Sequence, residues 1–178
     1  MRFTYCPHCG EKLIQREIGD EGLMPFWLQC DIPLFDVTEP CIIALAVNEK
    51  GEAALLRQNY VTTSSYVCVA GHIKTGETAE ETAAREIKEE LGITPQKLTY
   101  ISSYYYEKKD MLMIGFLAHV MKTEFALSGE VDSAEWFPLG EAEQQVRQGS
   151  IAWKLIREYR ALARDDETAK QSKNMHGL

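Results

Sequence analysis

A mixed α/β fold, a sheet covered by helices on both faces, is what this sequence predicts. Two observations carry the prediction. Apolar runs of strand length, CIIALAVN, EAALLR, LTYISSYYY and MLMIGFLAHVM, share the chain with segments whose apolar residues recur at helical spacing. A well-bounded helix, TAEETAAREIKEELG, falls between the early strands and the later ones rather than at one end. Composition agrees: 178 residues, with 45% hydrophobic and 26% charged side chains, suit one globular domain with room for a small appendage.

Taken in order, residues 1–40 are irregular, with strand-like pieces near KLIQRE and PFWLQC, and hold too little apolar material for a core of their own. They need a staple or a neighbour. Cys41 to Asn48 reads as a buried strand, Glu49 to Gly51 as a turn, and EAALLRQNY as the hairpin partner. SSYVCVAGHI forms a third strand ahead of the helix. LTYISSYYY and MLMIGFLAHVM follow as two strands joined by the charged turn EKKD, and SAEWFPL is a short last one. Helical segments near 140–148 and 150–164 complete a main domain spanning 41–164, after which DDETAKQSKNMHGL, 165–178, reads as a polar tail.

Charge and cysteine usage narrow the function classes. A net charge of −8 argues against a nucleic-acid groove but is compatible with an anionic small molecule, because bound divalent cations reverse the local sign. MRFTYCPHCG lacks the apolar core of a signal peptide, and the longest apolar run, 41–47, is too short to span a bilayer. A cytoplasmic protein with no membrane partner is expected. Five cysteines, two of them in a C-x-x-C pair, suit reduced thiols or a metal better than a disulfide framework.

The helix repays closer reading. Thr78 with Glu81 is a capping-box start and Gly92 a C-terminal stop, so the helix runs from Ala79 to Leu91. Ala83, Ala84, Ile87 and Leu91 form the packing side, while Glu86, Glu89 and Glu90 point elsewhere and crowd one another. Each like-charged pair costs a helix roughly 0.2–0.5 kcal/mol, so something outside the helix should compensate if the face has a purpose, the alternative being a plain solvated acidic face. Arg85, four residues from both Glu81 and Glu89, can hold one glutamate without neutralising the cluster. Hard oxygen donors gathered this way suit Mg²⁺ or Mn²⁺.

Gly71, Glu77, Arg85, Glu86, Ile87, Glu89, Glu90, Gly92 and Ile93 occupy every position of the pattern G-x5-E-x7-R-E-U-x-E-E-x-G-U, with U aliphatic. On these residues the chain resembles the Nudix hydrolase family. The resemblance implies an α/β/α sandwich with a mixed sheet and a divalent-metal-dependent hydrolysis of a nucleoside diphosphate linked to another moiety. It implies that Glu86, Glu89 and Glu90 ligate metal or activate water, that Arg85 and Glu77 brace the loop and helix, and that the backbone carbonyl of Ala70 is a further metal ligand. It also implies an extra glutamate from the loop before SAEWF; Glu130 ranks ahead of Glu135 for that place.

A second, more selective resemblance is to the NADH pyrophosphatases within the family. CPHCG, Cys30 and the EPC junction before CIIALAV follow the order of their zinc ribbon and first strand. Structural Zn²⁺ on Cys6, Cys9 and Cys30 is the implied staple, with His8 or Cys41 as a fourth ligand. Trp27 stands where the first cysteine of a second knuckle is expected, and the alternative is a segment held by packing of Phe26, Trp27 and Phe35. The marker S-Q-P-W-P-F-P-x-S of those enzymes is represented by SSYYYEKKD, without its prolines, Trp or Phe, and Lys108 replaces the proline typical of ADP-ribose pyrophosphatases.

Other substrate contacts are read from residue type and place. Arg57 is a phosphate or ribose contact or a plain surface charge, Gly71 lies beside the metal site, and of Tyr104 to Tyr106 one or two face a ligand, Tyr105 being the choice. His72 is a lone histidine and Cys68 a core residue. The expected function is a pyrophosphohydrolase acting on a small-molecule nucleotide, with NAD(H) or another dinucleotide in view. The alternatives are an ADP-ribose or nucleoside triphosphate enzyme of the family and a regulatory module that binds a nucleotide without cleaving it. A homodimer is left open as the assembly.

Overall fold

Three short strands, β1 (Ile14–Glu17), β2 (Leu23–Trp27) and β3 (Ile32–Pro33), form an antiparallel sheet of their own in the order β1-β2-β3. The computed structural model describes residues 3–29 and 31–175, with side chains through residue 164. This small sheet buries little: Cys6, Leu13 and Phe26 are its apolar interior, and Arg16 lies over the Phe26 ring at 4.4 Å. Phe35, grouped with the packing aromatics on sequence grounds, is exposed.

The main sheet is built around β4 (Glu39–Asn48), which is buried from Cys41 to its end. The remaining strands are β5 (Glu52–Arg57), β6 (Val69–His72), β7 (Lys97–Tyr106), β8 (Met111–Val120) and β9 (Ser133–Pro138), in the order β7-β8-β4-β5-β9 with β6 paired to β4. Only β4 and β8 run parallel, from Glu39↔Met111 to Asn48↔Val120; the other pairings are antiparallel, so the sheet is mixed.

Strand alternation sends the two sets of β4 side chains into two cores. Ile42, Ala44 and Ala46 meet Ala83, Ile87 and Leu91 of α1 (Ala79–Leu91) on one face. Ile43, Leu45 and Val47 meet Ala152, Leu155 and Ile156 of the last helix on the other. A strand covered on both faces must be apolar at every position, which is why CIIALAV shows no alternation. Each fully buried Leu or Ile here contributes roughly 1.5–3 kcal/mol relative to exposure. A short helix, α2 (Leu139–Gln145), and the long α3 (Ile151–Met175) lie on the second face.

Two expectations are adjusted. SSYVCVAGHI is regular strand only over Val69–His72; Val67 makes an isolated bridge to Leu56, and Tyr66 one to Val146. The backbone of α3 stays helical to Met175, past residue 164 where the sequence suggests a polar tail. In addition, a register shift between Tyr100 and Ser102 divides β7. Tyr100 therefore packs edge-on against Phe116 on the α1 face, whereas Tyr104 is buried on the α3 face.

Candidate active site

The α1 helix is set as its sequence dictates. Thr78 Oγ1 accepts from the Glu81 N–H at 3.2 Å, Glu81 Oε2 accepts from the Thr78 N–H at 2.9 Å, and Gly92 closes the helix at φ 73° with its N–H on the Lys88 carbonyl. Because Glu81 is spent on the cap, it is not the partner of Arg85.

Arg85 instead turns toward the loop before the helix, and all five of its donors are engaged. Nε and Nη2 hold Glu77 at 2.7 and 2.9 Å, Nη1 reaches Glu86 at 2.6 Å and Glu89 at 3.1 Å, and Nη2 also donates to the His72 carbonyl at 3.3 Å. Loop, strand and helix are thereby fastened by one planar cation. Glu77 accepts further bonds from Thr82 Oγ1 at 2.9 Å and the Lys74 N–H at 3.3 Å. The Arg85 bonds, ahead of these, hold its carboxyl down to about 2.

That depression gives a pH prediction. The stability Glu77 supplies is fully present above its ordinary value of 4.5 and is lost as pH falls toward 2. Thermal melts of Glu77→Gln should show a lower midpoint than the parent at pH 6 and a gap that closes between pH 4.5 and 2. A gap independent of pH would separate Glu77 from the ion pair.

Glu86 lies against Gly71. A Cβ built on Gly71 would stand 2.1 Å from Glu86 Oε1, so only glycine leaves room for this carboxylate beside the strand. Gly71 thus has a steric reason to be there, apart from the substrate contact expected of it. Ala70 and His72 flank it. The pair Gly71↔Ile42 alternates with Ala70↔Ile43, and Ile73 N–H donates to the Pro40 carbonyl, so Ala70 and His72 direct their carbonyls away from β4. That of His72 goes to Arg85, and that of Ala70 leaves on the same side. The His72 ring itself is exposed and meets Glu39 at 3.3 Å.

The carboxylates of Glu86, Glu89 and Glu90 occupy different environments. Glu89 is 53% exposed at its side chain, Glu86 is 14%, and Glu90 as a residue is only 5%, so the expectation that all three point away from the packed side fails at Glu90. Glu90 Oε1 accepts from Gln58 Nε2 at 2.8 Å, and Glu90 Oε2 is buried with no hydrogen-bond partner among the described residues. Burial pushes its carboxyl up to about 7 against the Gln58 bond, with the charges of Glu86, Glu130 and Glu89 adding to the rise. Glu130 therefore shares the site's field. Its competitor does not: Glu135 accepts the Tyr66 hydroxyl, and Tyr66 belongs to the core on the α3 face.

Among the described residues no three His, Cys, Asp or Glu side chains stand close enough to hold a metal ion as placed. At the glutamates the reason is visible, since Arg85 engages both Glu86 and Glu89. The donor set still fits a hard divalent cation. An anionic oxygen buried without a partner, Glu90 Oε2, lies beside further carboxylates, and such an atom is costly unless a cation or proton meets it.

The remaining candidates divide by sheet face. Arg57, adjacent in β5 to residues of the α1 face, points the other way: its guanidinium lies 4.2 Å over Tyr66 in the α3-side core, away from the carboxylates. Of the tyrosines, Tyr104 is buried and donates to Glu158 at 2.8 Å, Tyr106 packs against the same core, and Tyr105 is exposed with its hydroxyl on Asp110 at 2.6 Å. In the amino-terminal segment, Cys6 is buried and Cys9 exposed. Burial opposes ionisation of Cys6, but backbone N–H bonds from Cys9 and His8 outweigh it and hold the thiol below its ordinary value. Cys30 lies outside the described residues. Cys41 belongs to the main core with Leu45 and Leu155, which removes it as a fourth zinc ligand, and the His8 ring stacks on Trp27 at 6.3 Å.

Two residues at the site had escaped the sequence reading. Gln58 was legible in principle, because alternation along EAALLRQ places it on the face of Ala54 and Leu56. Tyr60 had no such signal; the residue is largely exposed, and partial desolvation together with the charges of Glu90, Glu130 and Glu86 raises the pKa of its hydroxyl.

The NUDIX domain family model matches residues 37–159. The NAD-capped RNA hydrolase NudC of Pasteurella multocida (strain Pm70) is 32% identical over 170 residues, covering 92% of this chain and 62% of that protein. The NAD-capped RNA hydrolase NUDT12 of Homo sapiens is 30% identical over 146 residues, covering 76% of this chain and 31% of that protein. The chain thus spans less than two thirds of the length of either relative. Among solved structures, a NUDIX hydrolase from Nitrosomonas europaea superposes with a TM-score of 0.62 at 18% identity, covering 88% of each chain. A C. elegans Ap4A hydrolase gives 0.60 at 23% identity, covering 72% of this chain and 99% of that one. At these identities the structural likeness establishes the α/β/α sandwich alone. The residues of the pattern lie on β6, the loop after it and α1, within the segment 37–159 that the family model matches, and the chain belongs to the Nudix hydrolase family.

Proposed function

We propose that the chain is a divalent-metal-dependent pyrophosphohydrolase that cleaves the diphosphate linkage of a nucleoside diphosphate derivative, with a dinucleotide such as NADH as the preferred class. The observation that carries it is the buried, unpartnered Glu90 Oε2 within reach of the charges of Glu86, Glu89 and Glu130. Glu86, Glu89, Glu90 and Glu130, with the Ala70 carbonyl, would hold Mg²⁺ or Mn²⁺. Such a cation supplies Lewis acidity toward phosphate oxygens and water. Arg85 and Glu77 keep the glutamates in position, Glu90 buried and Glu86 half-buried beside it. Among the described residues no helix is long and apolar enough to cross a membrane.

Substrate choice rests on Tyr105 as an exposed stacking surface on the α1 face and on relatives named as NAD-capped RNA hydrolases. Stacking contributes roughly 1–3 kcal/mol per base, so NADH should exceed a nucleoside triphosphate by about 5- to 150-fold in kcat/KM. A panel of NADH, ADP-ribose, a diadenosine polyphosphate, nucleoside triphosphates and NAD-capped RNA, with Mn²⁺ and with chelator, tests both parts. Dominance of triphosphates or ADP-ribose refutes the dinucleotide preference, and activity that survives chelation refutes the metal. The acidic chain is expected to favour the small dinucleotide over the same group on RNA.

Structural zinc is proposed on Cys6 and Cys9 with Cys30, as a folding staple for a segment with a small interior. Elemental analysis of chelator-free protein should find about one zinc per chain, lowered by Cys6→Ser. Absence of zinc, with a thermal midpoint unmoved by that substitution, would leave Phe26 and its neighbours as the only support of the segment.

A further inference from the structure

Glu90 and Glu130 come to one site from a helix and a distant loop, and the segment Arg57 to Asn59 is bonded to both. The Arg57 carbonyl accepts from the Asp132 N–H at 2.9 Å, and the Asn59 N–H donates to Asp132 Oδ2 at 2.6 Å, which fastens the loop beside Glu130. Between them Gln58, 5% exposed, extends toward α1 and donates Nε2 to Glu90 Oε1 at 2.8 Å. The Gln58 carbonyl accepts from the Val61 and Thr62 N–H groups at 2.8 and 3.0 Å, closing the turn that follows and fixing the backbone that carries the amide.

The chemistry of the donor matters. Arg85, which orients Glu86 and Glu89, is a cation and competes with any metal for their charge. Gln58 is neutral, so it can orient a carboxylate without cancelling it. A carboxylate with one oxygen committed in a buried site has its plane and direction set, and the second oxygen is left to present its charge. That is the condition of Glu90, whose Oε2 has no partner.

We propose that Gln58 is a positioning residue: it holds Glu90 by Oε1 so that Oε2 is presented to a divalent cation, and its segment keeps Glu90 in register with the Glu130 loop. The proposal rests on the metal reading above. Its test is Mn²⁺ binding without substrate, followed by electron paramagnetic resonance or calorimetry, in parallel with thermal melts. Gln58→Met should weaken Mn²⁺ binding by roughly 10- to 100-fold, the usual consequence of removing an outer partner of a metal ligand. In a Glu90→Gln background the same change should have less than about a twofold effect, because Gln58 acts through Glu90. Should the Met variant fail to fold, Gln58→Ala carries the same comparison without overpacking. Unchanged affinity in a folded variant, or an equal loss in both backgrounds, overturns the proposal and assigns Gln58 to the fold alone. Failure of the unmodified chain to bind Mn²⁺ overturns the metal reading itself, and this proposal with it.

Discussion

Glu90→Gln should lower metal-dependent turnover by on the order of 10²–10³-fold or more while making the metal-free chain more stable, not less. The two effects have one origin. Glu90 is 5% exposed, its Oε2 has no partner, and its carboxyl lies near 7, so above that pH the folded chain must bury an uncompensated charge. An amide keeps the shape and the bond from Gln58 and removes the charge. The stabilisation should be about 1–2 kcal/mol at pH 8, less than the full cost of a buried charge because the new NH₂ inherits the unpartnered position. For a domain of this size that is a rise of roughly 2–8 °C in Tm. Glu89→Gln is the control: 53% exposed and bonded to Arg85 at 3.1 Å, it should lose turnover similarly with a Tm change near zero. Retained turnover in both variants would sink the metal assignment, and a lower Tm for Glu90→Gln would mean its charge is already compensated.

Gly71→Ala is the second large effect, and it separates activity from stability in another way. The added methyl would meet Glu86 Oε1 at 2.1 Å and Cδ at 2.2 Å, so the carboxylate must swing out of place and release its bond from Arg85 Nη1. The backbone does not object, since Gly71 is not among the residues with positive φ. The clash falls on the end of a flexible side chain, and Arg85 keeps Glu77, Glu89 and the His72 carbonyl, so the stability cost should be about 1 kcal/mol, the low end for overpacking. Turnover should nevertheless fall by on the order of 10²-fold, because Glu86 no longer stands with the cluster. Adding Gly71→Ala to Glu86→Gln should then cost little more than Glu86→Gln alone. Wild-type turnover in Gly71→Ala, or a full additional loss in the double variant, would show that Glu86 is not held for function at this glycine.

The α1 helix and its glutamates were legible in the chain because everything that defines them is local. The Thr78 and Glu81 cap, the Gly92 stop and the spacing of Glu86, Glu89 and Glu90 lie within a few turns, where the helical period alone decides which residues are neighbours. The central strand was legible for a related reason: a run apolar at every position can be satisfied only under two covering layers. What local pattern could not supply is which neighbour each group meets across the sheet. Arg85 had two equally spaced glutamates on its own helix; it holds Glu89 as expected but commits most of its donors to Glu77, Glu86 and the His72 carbonyl, partners supplied by the loop and strand before the helix and by its sequence neighbour. Glu90 meets Gln58, thirty-two residues away, and Glu135 meets Tyr66, sixty-nine residues away, contacts that no local pattern announces. Arg57 lies on the face opposite the glutamates because adjacent residues of a strand point to opposite faces, and the tyrosines of β7 could not be sorted because a register shift near Tyr100 breaks the alternation. Spacing along the chain thus determined which carboxylates could act together, and packing of β5, β6 and the Glu130 loop around α1 decided which of them is buried, which is neutralised and which is left with a charge to offer, because burial and ion pairing are properties of contacts distant in sequence.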